Sequence, residues 1–304
     1  MKYHNSTVKV EQQTDQISFA AQASDRPLTS DLTNVATEWA QIAPDRIVVA
    51  TKNRTWLYRP RSEENRFTKP MKDAGSIATT RKLLDGAIAA AKYTINSNVR
   101  PPALTATRWI WRLAGAYHSS RFTSTLMEEA ARRFAEAERW NLAEWALQKA
   151  DEERGHDRLA LLDIKSMGYD AEAVVRELVP PGAVTVVDYF TRSVQDVDPI
   201  DCVGLSYGCE RLGTFLGEEY IQSVRALLKP NTNATRWLRV HSGVGSEVEH
   251  VEDMVELVAS LTAQERIRVA RACYETALLR FTPPSEGYIS DSELQQILKP
   301  LKLG

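Results

Sequence analysis

Hydrophobic positions along most of this 304-residue chain recur with the 3.6-residue period of an α-helix. Residues 1–30 are the exception: they are polar, rich in Ser, Thr, Gln and Asp, and carry neither helical nor strand periodicity, so they read as an irregular arm. From Asp45 the run RIVVATKNRTWLYRP sets β-branched and aromatic residues on both sides of Lys52-Asn53-Arg54, the pattern of a small hairpin. After Pro70 the segment DAGSIATTRKLLDGAIAAAKYTI predicts a helix that stops before Pro101-Pro102, and further helices are expected over 103–117 and 122–139. A long helix follows, capped by Asn141 with Glu144 at the N3 position and stopped by Gly168. Shorter helices are expected over 170–178 and 183–194, then long ones over 200–228, 234–260 and 262–280. No fixed-period repeat is visible. The prediction is an all-α multi-helix bundle: an N-terminal extension over 1–75, a helical domain over 76–282 and a tail over 283–304.

Composition narrows the class of function. Lys and Arg number 38 against 40 Asp and Glu, a net charge of −2, so no global basic field exists to hold nucleic acid or an anionic membrane surface. The three cysteines, 202, 209 and 273, form no CxxC pair and suggest neither a disulfide framework nor a zinc knuckle. The N-terminus has no apolar signal region, and no uncharged apolar stretch is long enough to span a bilayer. A cytoplasmic protein without membrane or nucleic-acid partners is expected.

Three predicted helices carry groups that packing alone does not require. In DEERGH, Glu153 and His156 stand three residues apart, one turn on a shared face, with Glu152 competing for the same role. In GLSYGCERLGTFLG, Glu210 sits among small and apolar neighbours, where a bare carboxylate must be paired, protonated or metal-bound. In GSEVEH, Glu247 and His250 repeat the first spacing. Inward-facing Glu and Glu-x-x-His groups from separate helices are the means by which bundles surround two iron or manganese ions. Glu249, Glu252 and Asp253 read as solvated-face charges, as does Glu152 if Glu153 is the ligand. His241 precedes His250 by nine residues, opposite it on an unbroken helix; unwinding at Gly243 and Gly245 would turn it inward. His118 reads as a hydrogen-bonded structural residue, and His4 belongs to the arm.

These segments resemble the haem-oxygenase-like di-iron oxidases and oxygenases, fold relatives of thiaminase II and the pyrroloquinoline-quinone synthase. ADEERGHDRLALLDIKSMGYD is similar to that family's first metal-binding helix, the segment around Glu210 to its second, and VHSGVGSEVEHVED to its third. The resemblance covers about residues 100–280. It implies that Glu153, His156, Glu210, Glu247 and His250, with His241 as a sixth, hold two Fe(II) ions, with O2 as co-substrate and an external electron donor. It further implies a small substrate seated near Ser206, Tyr207, Thr214 and Phe215, and oxidation of an amine or amino acid at nitrogen, or oxidative C–C cleavage. Two departures bear on this: Lys149 stands where many members have a further Glu, the Glu153 arrangement resembling instead the fatty-acid-decarboxylase branch, and two extra residues lie between His241 and Glu247. Either departure weakens one iron site.

Rival readings are a fatty-acid-type oxidative decarboxylase, a ferritin-like carboxylate protein using Glu128 or Glu129, and a metal-free thiaminase-like hydrolase with Cys209 or Cys273 as nucleophile. Haem bound through His118 and a helical binding protein complete the alternatives. A homodimer is expected for a helical enzyme of this size.

Overall fold

The computed structural model describes residues 37–60, 67, 71, 75–95 and 97–304. The expected irregular arm over 1–30 lies outside them. Three strands come first, β1 (Glu38–Ala43), β2 (Arg46–Ala50) and β3 (Thr55–Tyr58), forming an antiparallel sheet in sequence order. The β2–β3 pair, with Ala50 opposite Thr55 and Ile47 opposite Tyr58, is the hairpin expected from the sequence. β1 pairs along the other edge of β2 and was not anticipated. The sheet is not isolated. It packs on helices α1 (Ile77–Thr94) and α12 (Ala263–Phe281), which bury Ile47, Val48, Val49 and Ala50. Glu38 of β1 accepts a hydrogen bond from Thr79 Oγ1 at 2.8 Å and pairs with Arg266 Nε at 3.4 Å, tying the strand to both helices.

The remaining helices are α2 (Ala106–Ser120), α3 (Thr123–Glu136), α4 (Trp140–Glu152), α5 (His156–Ser166), α6 (Ala171–Glu177), α7 (Pro181–Gln195) and α8 (Asp201–Gly213). After them come α9 (Glu218–Arg225), α10 (Arg236–Val240), α11 (Glu247–Ser260) and α13 (Asp291–Leu298). Their starts follow the local chemistry of the chain. Ser76 and Thr79 form a capping box on α1, Thr262 and Glu265 another on α12, and Asp170 caps α6 by accepting from the Ala173 N–H. Asn141 is not a cap: α4 begins at Trp140 without side-chain capping, so Asn141 lies inside the first turn. The tail contains α13, whose Leu294 and Leu298 are buried against α2.

Apolar side chains form two clusters. One joins the sheet to α1, α3, α4, α7, α8, α11 and α12; the other joins α2, α5, α6, α9, α10 and α13. Each of three helices expected to be continuous, over 141–168, 200–228 and 234–260, is broken where the chain crosses between the clusters. The first break follows from Gly155, whose φ of 86° is a left-handed conformation that glycine adopts without steric cost. At the other two, the 241–246 loop lies against the 214–217 loop, with Gly243 N–H donating to Leu216 O at 3.0 Å. A Cβ on Gly243 would sit 2.5 Å from Thr214 O, so this approach requires glycine. No helix among the described residues is long and apolar enough to cross a membrane.

Candidate metal centre

The breaks converge, and the ionisable side chains cluster at them. Glu153 ends α4 and His156 opens α5; they are not one turn apart on a continuous helix, yet the turn at Gly155 brings His156 Nδ1 to 3.1 Å from Glu153 Oε2. His241 follows the end of α10, unwound as the glycines suggested, and its ring lies 4.8 Å from that of His156, centroid to centroid. Glu210 comes from the last turn of α8, and Glu247 and His250 from the first turn of α11. All six candidate ligands thus converge, as two triads: Glu153, His156 and His241, and Glu210, Glu247 and His250. Within each triad one ligand atom per residue lies within 4.8 Å of the others.

One hydrogen bond joins the triads. His241 Nδ1 lies 2.9 Å from Glu247 Oε1; since a carboxylate accepts, Nδ1 donates this bond. His241 Nε2 and Glu247 Oε2, the far atoms of this pair, are both buried without a hydrogen-bond partner, as is Glu210 Oε2. Buried polar atoms are nearly always satisfied, so three orphans at one place mark a missing partner. Their chemistry is that of metal ligands, an imidazole nitrogen and two carboxylate oxygens, with the second imidazole nitrogen fixed by a carboxylate.

Two further residues complete the cluster. Lys149, 5% exposed, places Nζ 2.9 Å from Glu210 Oε1 and 2.7 Å from Glu152 Oε2. Glu152 is therefore not a solvated-face charge: its Oε2 also lies 3.5 Å from His250 Nε2. Glu249, Glu252 and Asp253 are exposed, as expected, and Glu252 pairs with Arg81. Four carboxylates against one ammonium leave an excess of negative charge that protons or cations must offset. Burial pushes the Glu210 carboxyl up to about 8 against the pull of Lys149, and the charge of Glu247 adds to the rise. Burial opposes ionisation of Glu153 too, but the His156 hydrogen bond and the charges of His241 and His156 outweigh it and hold its carboxyl below the ordinary value. Burial opposes the charged form of His156 too, but the hydrogen bond to Glu153 and the charges of Glu153 and Glu247 together outweigh it, so this imidazole is raised above its ordinary value.

Helix α10 carries His241 and is held by Asp163 of α5, which is fully buried. Asp163 Oδ1 accepts from Arg236 Nη1 at 2.9 Å and Oδ2 from Trp237 N at 3.0 Å. Its replacement by alanine leaves the Trp237 N–H without its acceptor and takes the carboxylate from Arg236, which keeps only Asn233 O. The Asp163→Ala protein is expected to lose about 3 kcal/mol in urea denaturation; an unchanged midpoint would show that the contact is not structural.

A cavity of about 360 Å³ opens beside the triads, reaching Lys149, Glu153, Glu210, His241 and Glu247. Ser206 and Phe215 line it, as expected; Tyr207 and Thr214 do not. The Tyr207 side chain is buried on the α1 side, where its hydroxyl donates to Asp85 Oδ1 at 2.9 Å, and Thr214 is the C-cap of α8, turned back to Arg211 O. The sequence reading missed Trp237, Phe190 and Arg280 in the lining; their only signal is proximity in chain to a ligand or to a predicted helix end.

The rival residues lie elsewhere or in the wrong state. Glu129 pairs with Arg132 and Arg133, and Glu128 with Arg154, on the surface of α3. Burial pushes the thiols of Cys209 and Cys273 up, away from the thiolate a nucleophile needs. His118 Nε2 lies 2.8 Å from Val175 O, a structural bond rather than a free axial position.

No family model matches the chain, and no curated protein matches it. Among solved structures it is similar to a domain of unknown function with a haem-oxygenase-like fold from Shewanella denitrificans. The TM-score is 0.51 at 19% identity, over 74% of this chain and 89% of that one. At that identity the likeness bears on fold alone: the bundle has a haem-oxygenase-like fold.

Proposed function

We propose that this protein is a non-haem di-iron oxidase or oxygenase that uses O2 to oxidise a small molecule held in the cavity beside the triads. The observation that supports it is the presence of three orphaned buried ligand atoms, His241 Nε2, Glu247 Oε2 and Glu210 Oε2, within two three-residue groups of metal-ligand type. Glu153, His156 and His241 would hold one ion, and Glu210, Glu247 and His250 the other. Bound ferrous ions would supply the electrons for dioxygen reduction.

The chain's own side chains do the rest. Glu153 and Glu247 accept the Nδ1 protons of His156 and His241 and so orient both imidazoles, leaving Nε2 as the atom each would offer to a metal. Trp237, whose ring lies 4.6 Å from that of His241, holds that ring from the cavity side. Met127, Val186, Phe190, Leu205, Leu216 and Phe281 give the cavity apolar walls that exclude water from the reacting end.

One observation favours a particular second reading, oxidative decarboxylation of an apolar carboxylic acid. Arg280 lines the same cavity, and among the described residues its guanidinium has no carboxylate partner; its Nη2 donates only to Cys209 Sγ, at 3.7 Å. A cationic group beside apolar walls suits an anionic head on an apolar body.

The test is anaerobic Fe(II) loading followed by O2 in a stopped-flow spectrometer, with amines, amino acids and fatty acids as candidates. Iron uptake and a transient visible band that one candidate accelerates are expected. Protein that takes up no iron, or iron-loaded protein inert to O2 with every candidate, would sink the proposal.

A further inference from the structure

The departure at Lys149 is not a neutral loss of a ligand. Its side chain is buried, and its ammonium has been drawn onto the second triad: it bonds Glu210 Oε1, and through Glu152 Oε2 it shares a carboxylate with His250 Nε2. A carboxylate that holds two cations, one on each oxygen, needs both oxygens free. With Oε1 held by Lys149, Glu210 has Oε2 alone to offer, and Oε2 is the orphaned atom. The first triad is unlike this. Its carboxylate, Glu153, is bonded to His156, a neighbour that would remain a ligand in the same group, and its His241 Nε2 is unpartnered.

We propose that the Lys149 ammonium is a built-in cation for the second triad, so that the chain binds one divalent ion firmly at Glu153, His156 and His241. A second ion enters only when Lys149 gives up Glu210. The inference rests on the di-metal reading and adds to it an order of loading and the residue that sets that order. A dication approaching Glu210 meets the ammonium already bonded to its Oε1, in surroundings where screening by water is weak. Glu152 supplies the place to which the ammonium can retreat, since it already holds Nζ at 2.7 Å.

The test is an anaerobic titration of the full chain with Mn(II), the free ion read from its six-line EPR signal and the bound pair from its spin-coupled signal. Wild type is expected to bind one ion about 100-fold more tightly than the second. Lys149→Gln and Lys149→Met should tighten the second site by about 100-fold, giving two ions of similar affinity and a coupled signal, while Lys149→Arg should stay as wild type. Circular dichroism establishes that each variant is folded. Two equally tight ions in wild type would overturn the role of Lys149 and leave the di-metal reading standing, whether or not any variant folds. Folded Lys149→Gln or Lys149→Met protein that still binds a single tight ion would overturn it in the same way. No ion bound by wild type would overturn both.

Discussion

In Fe(II)-loaded His156→Ala and His250→Ala proteins, the visible transient that O2 raises in wild type is expected to disappear, while the helical circular-dichroism signal is kept. Each histidine belongs to a different triad, so the pair of substitutions tests both halves of the centre. Altering a residue that merely orients a ligand costs about 10- to 100-fold in metal affinity, so deletion of the ligand itself should cost more. Folding should suffer little. His156 and His250 are only partly buried, their side chains 19% and 17% exposed; His156 bonds Glu153, and the imidazole of His250 lies 3.5 Å from Glu152 and 4.0 Å from Glu210, all within the cluster. A transient undiminished in both variants would show that the triads are not where the metal acts; loss in one alone would confine the chemistry to a single ion.

The second large effect is a pH dependence of the metal-free protein. The Glu210 carboxyl is raised to about 8, against about 4.5 in the unfolded chain. Below pH 4.5 both states hold the proton and Glu210 exacts no penalty. As pH rises from 4.5 the unfolded chain ionises while the folded one keeps its proton, so stability falls through this window and levels off above about 8. Urea denaturation of metal-free wild type between pH 5 and 9 should therefore fall steeply beside Glu210→Gln, in which this component is absent. Parallel curves would remove the buried carboxyl from the account. A metal ion replaces the proton, so metal affinity should rise with pH over the same range.

Much of this was legible in the chain, and what was missed has one origin. Periodicity located the helices because an amphipathic stripe is a local property: Ser76, Thr105 and Asp170 stand at helix starts, and the hairpin about Lys52-Asn53-Arg54 is real. Five of the six candidate ligands were legible as two Glu-x-x-His spacings and an isolated carboxylate, and His241 through the glycines that follow it. The breaks were not. Residues 151–158 carry no apolar side chain, so periodicity cannot show a stop there; the helix turns at Gly155 because the chain passes there from one apolar cluster to the other, a tertiary fact. Gly168 was read as a stop and Gly155 was not, although both have positive φ. Lys149 and Glu152 look like surface charges in a linear reading, since Lys is seldom buried without partners; the partners come from 61 and more residues away, on α8 and α11. Tyr207 stands three residues before Glu210 and was placed with it, but Asp85 on α1 draws its hydroxyl to the opposite side.

The seam itself makes the two triads unequal mechanically. Glu210, Glu247 and His250 all project from α8 and α11, helices of the sheet-bearing cluster, whereas Glu153 closes α4 on that side and His156 and His241 adjoin α5 and α10 on the other. An ion among the last three would rivet the two halves of the interior to one another, and its removal would loosen their alignment. An ion among the first three would join nothing that the folded chain does not already hold together.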